Sequence, residues 1–296
     1  MAPTTLPAPD AMAGDVAGLL EVSGRSLHLD CNGTGSPTVI LQSGFGNAGD
    51  IWSFAEADPP AVQPGLASSN RVCSYDRPGS LITTTTAANG TVTSADTPKP
   101  GRSETAPMPR DPADVVTELH DLRAAADVPG PYALVGHSLG GALNVLYART
   151  YPDEVRALVI VDSPLPPLRG LVTPQHWEEL AILAIPPDAV PGYELESYDL
   201  GKLFDEIEAA PPLADIAVIV ITRGEIRMNE DPIPDGVELT AADVEALNEA
   251  QRQGQAAFAA SVPGAKQIRV PGTTHYVQTQ RPDAVIEAIR EVIAGT

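Results

Sequence analysis

The chain has 296 residues and is strongly acidic, with 39 aspartates and glutamates against 18 lysines and arginines and a net charge of −21. Such a charge repels nucleic acid and anionic membranes, so neither is expected as a partner. The hydrophobic fraction of 43% is ordinary for a globular protein, and no apolar run approaches the roughly 20 residues that a membrane-spanning helix needs.

The first residues carry no structural pattern. Residues 1–15 are rich in Ala, Pro and Thr and contain neither a basic residue nor an apolar core, so they are not typical of a signal peptide. We predict a flexible tail over residues 1–18. The compartment is left open, since a soluble cytoplasmic protein and an exported one whose signal is absent from this chain would both fit.

A β-hairpin and a buried strand are the first predicted elements. Two apolar runs flank a Ser-Gly turn within residues 19–31, and residues 38–41 are apolar or β-branched throughout. The loop that follows contains Gly44, Gly46 and Gly49, which match the dinucleotide-binding fingerprint. That fingerprint normally belongs to the first strand of a βαβ unit, whereas here a hairpin precedes it. Nucleotide binding is therefore not expected from this match.

A strand at residues 71–75 leads into Asp76-Arg77-Pro78-Gly79, which we interpret as a structural turn or a local ion pair. Residues 80–110 are rich in Thr, Pro, Gly and Ser without periodicity, which predicts a long surface loop. Asp111 then has the position of a helix N-cap, because a proline and apolar residues at helical spacing follow it.

A strand, a sharp turn and a helix follow one another within residues 132–149. Ser138 stands at the apex of the turn, in Gly136-His137-Ser138-Leu139-Gly140. A serine on so tight a corner has a strained backbone, which is tolerated only where the residues two before and two after it are too small to clash. Gly136 and Gly140 meet that requirement. The amino end of the helix would then point at the hydroxyl, where negative charge is favoured.

Strands and helices alternate over the second half of the chain. They are predicted at residues 157–163, 217–222, 240–258, 267–270 and 281–293. A segment with proline clusters and two short helical patterns interrupts the alternation at residues 164–215. The alternation predicts an α/β fold, with a mostly parallel central sheet flanked by helices on both faces.

The Gly-His-Ser-Leu-Gly corner between its strand and its helix resembles the nucleophile elbow of the α/β-hydrolases, and the resemblance extends from about Leu19 to the end of the chain. It implies the α/β-hydrolase fold with a helical lid after the sixth strand, and Ser138 as the nucleophile. It also implies an oxyanion hole made by the backbone N–H groups of Phe45 and Leu139. Ser43 stands where the family often has histidine, which need not disable a backbone donor.

The resemblance also suggests a division of the chain. It predicts a tail over residues 1–18, a core over 19–163, a lid or cap over 164–215 and the rest of the core over 216–296. Cys31 and Cys73 are too few for a disulfide framework. In this fold their strands are neighbours, so two buried thiols and one disulfide are both open, and a disulfide would suit an exported protein.

A serine nucleophile needs a base that titrates near neutrality, which selects histidine. The histidines are His28, His120, His137, His176 and His275. His28 falls in a predicted strand and His120 in a predicted helix, while the side chain of His137 is expected to point away from that of Ser138. His275 follows the last strand, where the family keeps its base, and we predict it in that role.

Two positions are open for the carboxylate that orients the imidazole. Asp162 ends an apolar strand, where an unpaired charge would be costly, so a histidine partner would explain it. Other family members place the acid after the seventh strand, where this chain offers Glu225, Glu230 and Asp231. We favour Asp162, with Glu225 as the alternative.

These residues predict a serine hydrolase that cleaves a carboxylic ester or lactone of a neutral, partly apolar small molecule through an acyl-serine. The same triad would also serve amide hydrolysis, acyl transfer or lyase chemistry, and a non-catalytic ligand receptor is a further alternative. Apolar residues of the predicted lid, Trp177 among them, are expected near the substrate. Neither metal-ligand spacing nor a phosphate-binding loop is found in the sequence, so no metal or cofactor is expected. The oligomeric state is left open.

Overall fold

A computed structural model describes residues 15–56, 60–86, 91–186, 189–224 and 240–295. The strands in these ranges are β1 (Val16–Val22), β2 (Arg25–Asn32), β3 (Val39–Gln42), β4 (Val72–Tyr75), β5 (Leu81–Thr86), β6 (Val92–Pro100), β7 (Tyr132–His137), β8 (Val155–Val161), β9 (Ile182–Ala184), β10 (Ser197–Asp199), β11 (Ala217–Arg223) and β12 (Lys266–Val270). The helices are α1 (Val62–Ala67), α2 (Pro112–Ala125), α3 (Leu139–Thr150), α4 (Pro174–Leu180), α5 (Leu200–Ala209), α6 (Ala241–Ser261), α7 (Val277–Gln280) and α8 (Pro282–Ala294). Among the helices described, none is long and apolar enough to cross a membrane.

One sheet of eight strands forms the centre of the molecule, in the order β1-β2-β4-β3-β7-β8-β11-β12. The strands from β4 to β12 in this order pair in parallel, whereas β2 pairs antiparallel with both β1 and β4. The predicted mostly parallel α/β sheet is thus confirmed, with β8 as its sixth strand along the chain.

Helices cover both faces of this sheet, which explains why its central strands are apolar throughout. On one face the buried side chains come from α2, α3, α5 and α6, and on the other from α1 and α8. Every residue of β3 and β7 is buried. A strand enclosed on both faces has no solvent side on which polar residues could alternate.

The parallel strands all end at one edge of the sheet, and this edge gathers the predicted site residues. The oxyanion loop (residues 43–46) follows β3, Ser138 follows β7, and Asp162 follows β8. His275 lies in the loop between β12 and α7. In open α/β sheets ligands bind beyond the carboxyl ends of the strands, so this edge is where a site is expected.

Two sequence predictions need correction. The strand β1 begins at Val16, so residues 16–18 belong to the sheet rather than to a tail. The stretch 80–110 contains the antiparallel pair β5 and β6 where we predicted a loop without regular structure. Four consecutive threonines in β5 are β-branched and favour a strand. Asp50 also holds this strand, because its carboxylate accepts hydrogen bonds from the backbone N–H groups of Thr83 and Thr84.

Residues 164–215, the cap segment, lie between β8 and β11 and contain α4, β9, β10 and α5. The helix α5 buries Leu203, Phe204 and Ile207 and packs against α3. The ring centroids of Trp177, in α4, and Phe204 are 5.5 Å apart. The guanidinium carbon of Arg169 lies 5.3 Å from the Trp177 centroid. These contacts place Trp177 in the packing of the cap segment, and its contact with substrate stays a prediction.

A disulfide joins Cys31 of β2 to Cys73 of β4, which are directly opposed across the antiparallel pair. Of the two alternatives left open by the sequence, the structure contains the bonded one. Both residues are buried beneath the sheet's helices, with exposed fractions of 0% and 1%.

Removal of this disulfide is expected to lower the free energy of unfolding by about 4 kcal/mol, because a cross-link over 42 residues restricts the unfolded chain. The test is urea unfolding of Cys31→Ala/Cys73→Ala beside the wild type, each with and without dithiothreitol. The double variant should unfold at lower urea and be insensitive to the reductant. Equal midpoints for the two proteins without reductant would contradict the expectation.

Candidate active site

The backbone turns sharply between β7 and α3, as Gly136 and Gly140 predicted. Ser138 has φ 50° and ψ −125°, a conformation that is strained for any residue with a side chain. A Cβ at Gly136 would lie 2.4 Å from the carbonyl oxygen of Gly140, and one at Gly140 would lie 2.3 Å from that of Gln42. The backbone therefore leaves no room for a larger residue at either position.

Gly136→Ala is accordingly expected to destabilise the protein by about 3 kcal/mol or more, since the atom it would strike belongs to the backbone and cannot rotate away. Gly170→Ala is the matched control, because nothing lies within 4 Å of the position that its new methyl group would take. Thermal unfolding of both variants measures the difference. A Gly136→Ala protein as stable as the control would show that the corner can relax.

The structure brings two of the predicted triad residues into contact. The Nδ1–H group of His275 donates to Oδ2 of Asp162 at 2.7 Å, across 113 residues of chain. Asp162 is fully buried and His275 is half-buried. Asp162 leaves β8 with φ 45°, so its backbone is strained as that of Ser138 is. Glu225, the alternative acid, lies outside the described residues, as do Glu230 and Asp231.

The surroundings of Asp162 keep it ionised. Burial by itself raises the pKa of a carboxyl, but Arg223 at 2.9 Å and hydrogen bonds from His275 and Gln255 outweigh burial and lower the pKa of Asp162 to about 2. The backbone N–H of Arg223 also donates to Oδ1. The acid is thus a fixed negative charge beside the imidazole.

This lowered pKa makes a pH-dependent contribution to stability. Since the pKa is about 2 in the folded protein and near 3.8 ordinarily, Asp162 stabilises the fold above pH 3.8, and that contribution is lost as the pH falls through about 2. The difference in unfolding free energy between wild type and Asp162→Asn should shrink by about 2 kcal/mol as the pH falls from 5 toward 2. Urea unfolding at stepped pH measures it, and a difference that grows on acidification would contradict the assignment.

His137 ties the base loop to the elbow, a role that the sequence did not reveal. Its Nε2–H group donates to the backbone carbonyl oxygen of His275 at 2.9 Å, and the two imidazole centroids are 4.5 Å apart. Burial is the main cause that lowers the pKa of His137 well below its ordinary value, and the neighbouring His275 lowers it further. The ring of His137 is therefore neutral. His275 is thereby fixed beside the residue that precedes Ser138. Within the described ranges no hydrogen bond joins Ser138 to His275. Because Nδ1 of His275 bonds Asp162, Nε2 is the ring nitrogen that keeps no hydrogen bond among the described residues.

The predicted oxyanion donors are available. Leu139 is the first residue of α3, so its N–H has no partner inside the helix. The N–H of Phe45 likewise donates to no group in the part of the chain that the structure describes. A Cβ on Gly44 would lie 3.2 Å from Cβ of Ser138, so the oxyanion loop lies directly against the elbow.

The other histidines have different surroundings. His28 is buried in β2, where burial and then Arg102 lower its pKa to about 4. His120 stacks on Tyr151, and His176 lies 3.5 Å from Asp243. Within the described residues no hydrogen bond or ion pair joins any of the three to the Asp162–His275 pair.

The loop with the glycine fingerprint does not offer a row of free donors to a pyrophosphate. The N–H groups of Gly46, Ala48 and Gly49 donate to Glu196, Leu81 and Asp76 respectively. Among the described residues no cluster of three or more potential metal ligands occurs. Ser138, His275 and the N–H groups of Phe45 and Leu139 can therefore supply a nucleophile, a base and two amide donors. These are the groups that acyl transfer needs.

Comparison with known proteins gives a consistent picture of the fold. A family model described as alpha/beta hydrolase fold matches residues 37–188, just over half of the chain. A thermophilic esterase from Thermogutta terrifontis superposes with a TM-score of 0.57 over 96% of this chain and 99% of that one, at 18% identity. Identity this low supports likeness of fold and nothing finer.

Two curated relatives are similar over shorter stretches. RutD of Cronobacter turicensis, provisionally named a carbamate hydrolase, is 32% identical over 129 residues, which are 44% of this chain and 38% of that protein. The human (Lyso)-N-acylphosphatidylethanolamine lipase is 41% identical over 73 residues, 23% of this chain and 21% of that protein. The chain thus matches well under half of the length of these relatives.

Proposed function

Because the chain belongs to the alpha/beta hydrolase fold family, we propose that it is a serine hydrolase that cleaves carboxylic esters or lactones through an acyl-serine. In this proposal Ser138 is the nucleophile, His275 the base and Asp162 the acid. The observation that carries it is the 2.7 Å hydrogen bond from His275 to a buried carboxylate, in a loop that His137 ties to the elbow. Arg223 compensates the charge of this buried carboxylate. The bond from His275 places the same carboxylate where it orients the base.

The reaction follows from these positions. Nε2 of His275 takes the proton of Ser138 as its oxygen attacks the carbonyl carbon, and the carbonyl electrons move to the oxygen. The N–H groups of Phe45 and Leu139 stabilise that oxyanion, each worth roughly 3 kcal/mol. The imidazolium then gives its proton to the leaving alcohol, and water repeats the sequence on the acyl-serine. Asp162 stabilises the imidazolium throughout.

A neutral, partly apolar substrate fits the surroundings best. Ile185 of the cap segment lies over the oxyanion loop, with its Cδ1 3.1 Å from the position that a Cβ on Gly46 would take. Phe45, the preceding residue of that loop, is half-buried. A chain with a net charge of −21 would repel an anionic substrate at long range. Together these features favour an uncharged, partly apolar acyl group.

Cleavage of an amide or carbamate is the second candidate, and the similarity to RutD favours it. The same nucleophile, base and oxyanion donors would serve, with a less readily expelled leaving group. A non-catalytic receptor is less well supported, since a vestigial site would not need a buried, ionised carboxylate on its histidine.

The test is labelling with a fluorophosphonate followed by mass mapping, beside hydrolysis of p-nitrophenyl butyrate. We expect the label on Ser138 and time-dependent loss of ester turnover. A label on any peptide that lacks Ser138 would overturn the assignment of the nucleophile. Labelling of Ser138 without ester turnover would direct the search to amides and carbamates.

A further inference from the structure

The turn after β4 supplies an arginine to the oxyanion loop. Arg77 is 1% exposed. Its Nη1 donates to the carbonyl oxygen of Ser43 at 2.7 Å and its Nη2 to that of Gly44 at 2.6 Å. A single buried guanidinium that bonds two successive carbonyls fixes the direction in which the peptide groups of this loop point.

The bond to Gly44 acts on the peptide unit that carries the Phe45 N–H. The carbonyl of Gly44 and the N–H of Phe45 belong to one planar unit and point to opposite sides, so orienting the first also orients the second. A charged donor on the carbonyl polarises the unit and strengthens its N–H as a donor. Arg77 therefore acts on the proposed oxyanion donor from the side away from Ser138.

A carboxylate of the cap segment holds this arginine. Glu196 is 0% exposed and accepts from Nε of Arg77 at 3.0 Å and from Nη2 at 2.9 Å. Its Oε1 also accepts from the N–H of Gly46 at 2.5 Å. The hydroxyl of Tyr198 donates to its Oε2 at 3.2 Å, and the ring of Tyr198 meets that of Phe45 edge-on. The peptide groups on both sides of Phe45 are thus bonded to the Arg77–Glu196 pair.

A close backbone contact keeps the two partners together. The N–H of Glu196 donates to the carbonyl oxygen of Gly79 at 3.0 Å, and a Cβ on Gly79 would lie only 2.5 Å from that nitrogen. Gly79 has φ +83°, which suits glycine. Of the two sequence interpretations of this stretch, the turn is present, since the N–H of Ser80 donates to the carbonyl oxygen of Arg77. The local ion pair is wrong, because Asp76 pairs with Arg102 and Arg77 with Glu196.

We propose that Arg77 and Glu196 are positioning residues for the hydrolysis, which aim the Phe45 N–H at the developing oxyanion, and that the cap segment contributes to the oxyanion hole through Glu196. This inference rests on the proposed function. A buried ion pair is by itself weak evidence of a gain in stability, so the presence of one against this particular loop needs another reason. Stabilisation of the transition state supplies that reason. It predicts that loss of the pair lowers kcat with little change in KM, which structural support alone would not do.

The experiment compares Glu196→Gln with Glu118→Gln. Glu118 is also buried and paired with arginines, Arg110 and Arg25, but it lies on α2, and within the described residues no hydrogen bond or ion pair joins it to the oxyanion loop. For each protein we would measure kcat and KM for p-nitrophenyl butyrate, and Ki for an alkyl trifluoromethyl ketone. In that ketone adduct the Ser138 oxygen bonds the carbonyl carbon, the carbonyl electrons form an oxyanion, and the serine proton passes to His275.

Glu196→Gln should lower kcat about 10- to 100-fold. Complete removal of an oxyanion donor lowers kcat by about 10²- to 10³-fold, and this variant misdirects the donor without removing it. Ki for the ketone should rise by the same factor while KM changes less than about threefold. Glu118→Gln should lose stability as well but keep kcat and Ki within about threefold. Active sites are counted by fluorophosphonate titration, so that a partly unfolded preparation does not imitate a slow enzyme.

The outcomes separate the two hypotheses. A wild type that neither hydrolyses the ester nor takes up the phosphonate would overturn the proposed function and this inference together. An active wild type with Glu196→Gln behaving like Glu118→Gln would overturn the positioning role alone. If Glu196→Gln does not fold, Arg77→Lys is measured instead. It keeps the charge opposite Glu196 but loses the forked donors to the two carbonyls, and the same selective loss of kcat and ketone affinity is expected.

Discussion

Ser138→Ala is expected to lower kcat/KM for p-nitrophenyl butyrate by roughly 10⁴- to 10⁶-fold. Without Oγ no acyl-enzyme forms, and the remaining base and amide donors can only assist direct attack by water. Alanine has no larger side chain than serine, and the backbone cost of φ 50° is expected to be similar for both residues. The fold should therefore be unchanged, which thermal unfolding would check.

Two further measurements make this result decisive. Fluorophosphonate labelling should disappear in Ser138→Ala and persist in Ser69→Ala, which removes an exposed serine away from the elbow. Retention of more than about 1% of the wild-type rate by a folded Ser138→Ala preparation would mean that another residue is the nucleophile, since a loss this small falls well short of that expected for a missing nucleophile.

Asp162→Asn is expected to reduce kcat about 10⁴-fold with little change in KM. An asparagine amide at this position can donate to Nδ1 of His275, which favours the tautomer with its proton on Nε2. That nitrogen can then no longer accept a proton from Ser138. The charge that stabilises the imidazolium is lost as well, and Arg223 loses the carboxylate that it contacts at 2.9 Å.

Glu225→Gln is the informative comparison, since Glu225 is the alternative acid from the sequence. With Asp162 as the acid, Glu225→Gln should keep kcat within about threefold, because it leaves the orientation of the base intact. Because Asp162→Asn also removes a buried charge, both variants are assayed well below their unfolding midpoints. A large loss in Glu225→Gln combined with a mild one in Asp162→Asn would transfer the role to Glu225.

The central sheet and the elbow could be predicted because their determinants are local. Buried parallel strands must be apolar throughout, and the corner at Ser138 requires small residues at Gly136 and Gly140 within a few positions of sequence. His275 and Asp162 could be proposed from their places after strands, since the carboxyl ends of parallel strands share one edge. Their direct contact could not be read from a separation of 113 residues.

The parts that the sequence did not reveal depend on contacts between distant segments. Glu196 is one acid among many, and nothing near it indicates that it is buried against Arg77, 119 residues earlier. The role of His137 is equally hidden, since its bond to the His275 carbonyl becomes visible only once the loop is in place. The β5–β6 pair escapes strand prediction because β5 is rich in threonine and β6 contains two prolines, so neither shows the apolar alternation on which such prediction relies.

Left-handed backbone at Ser138 has a consequence for engineering. The position holds a conformation that costs a residue with a side chain on the order of 1–3 kcal/mol and glycine much less. A library sorted only for heat resistance would therefore enrich glycine at this codon, and under the proposed mechanism its winners would be inert. Thermostable versions of this protein have to be sought with a turnover assay in every round, or with this codon excluded from mutagenesis.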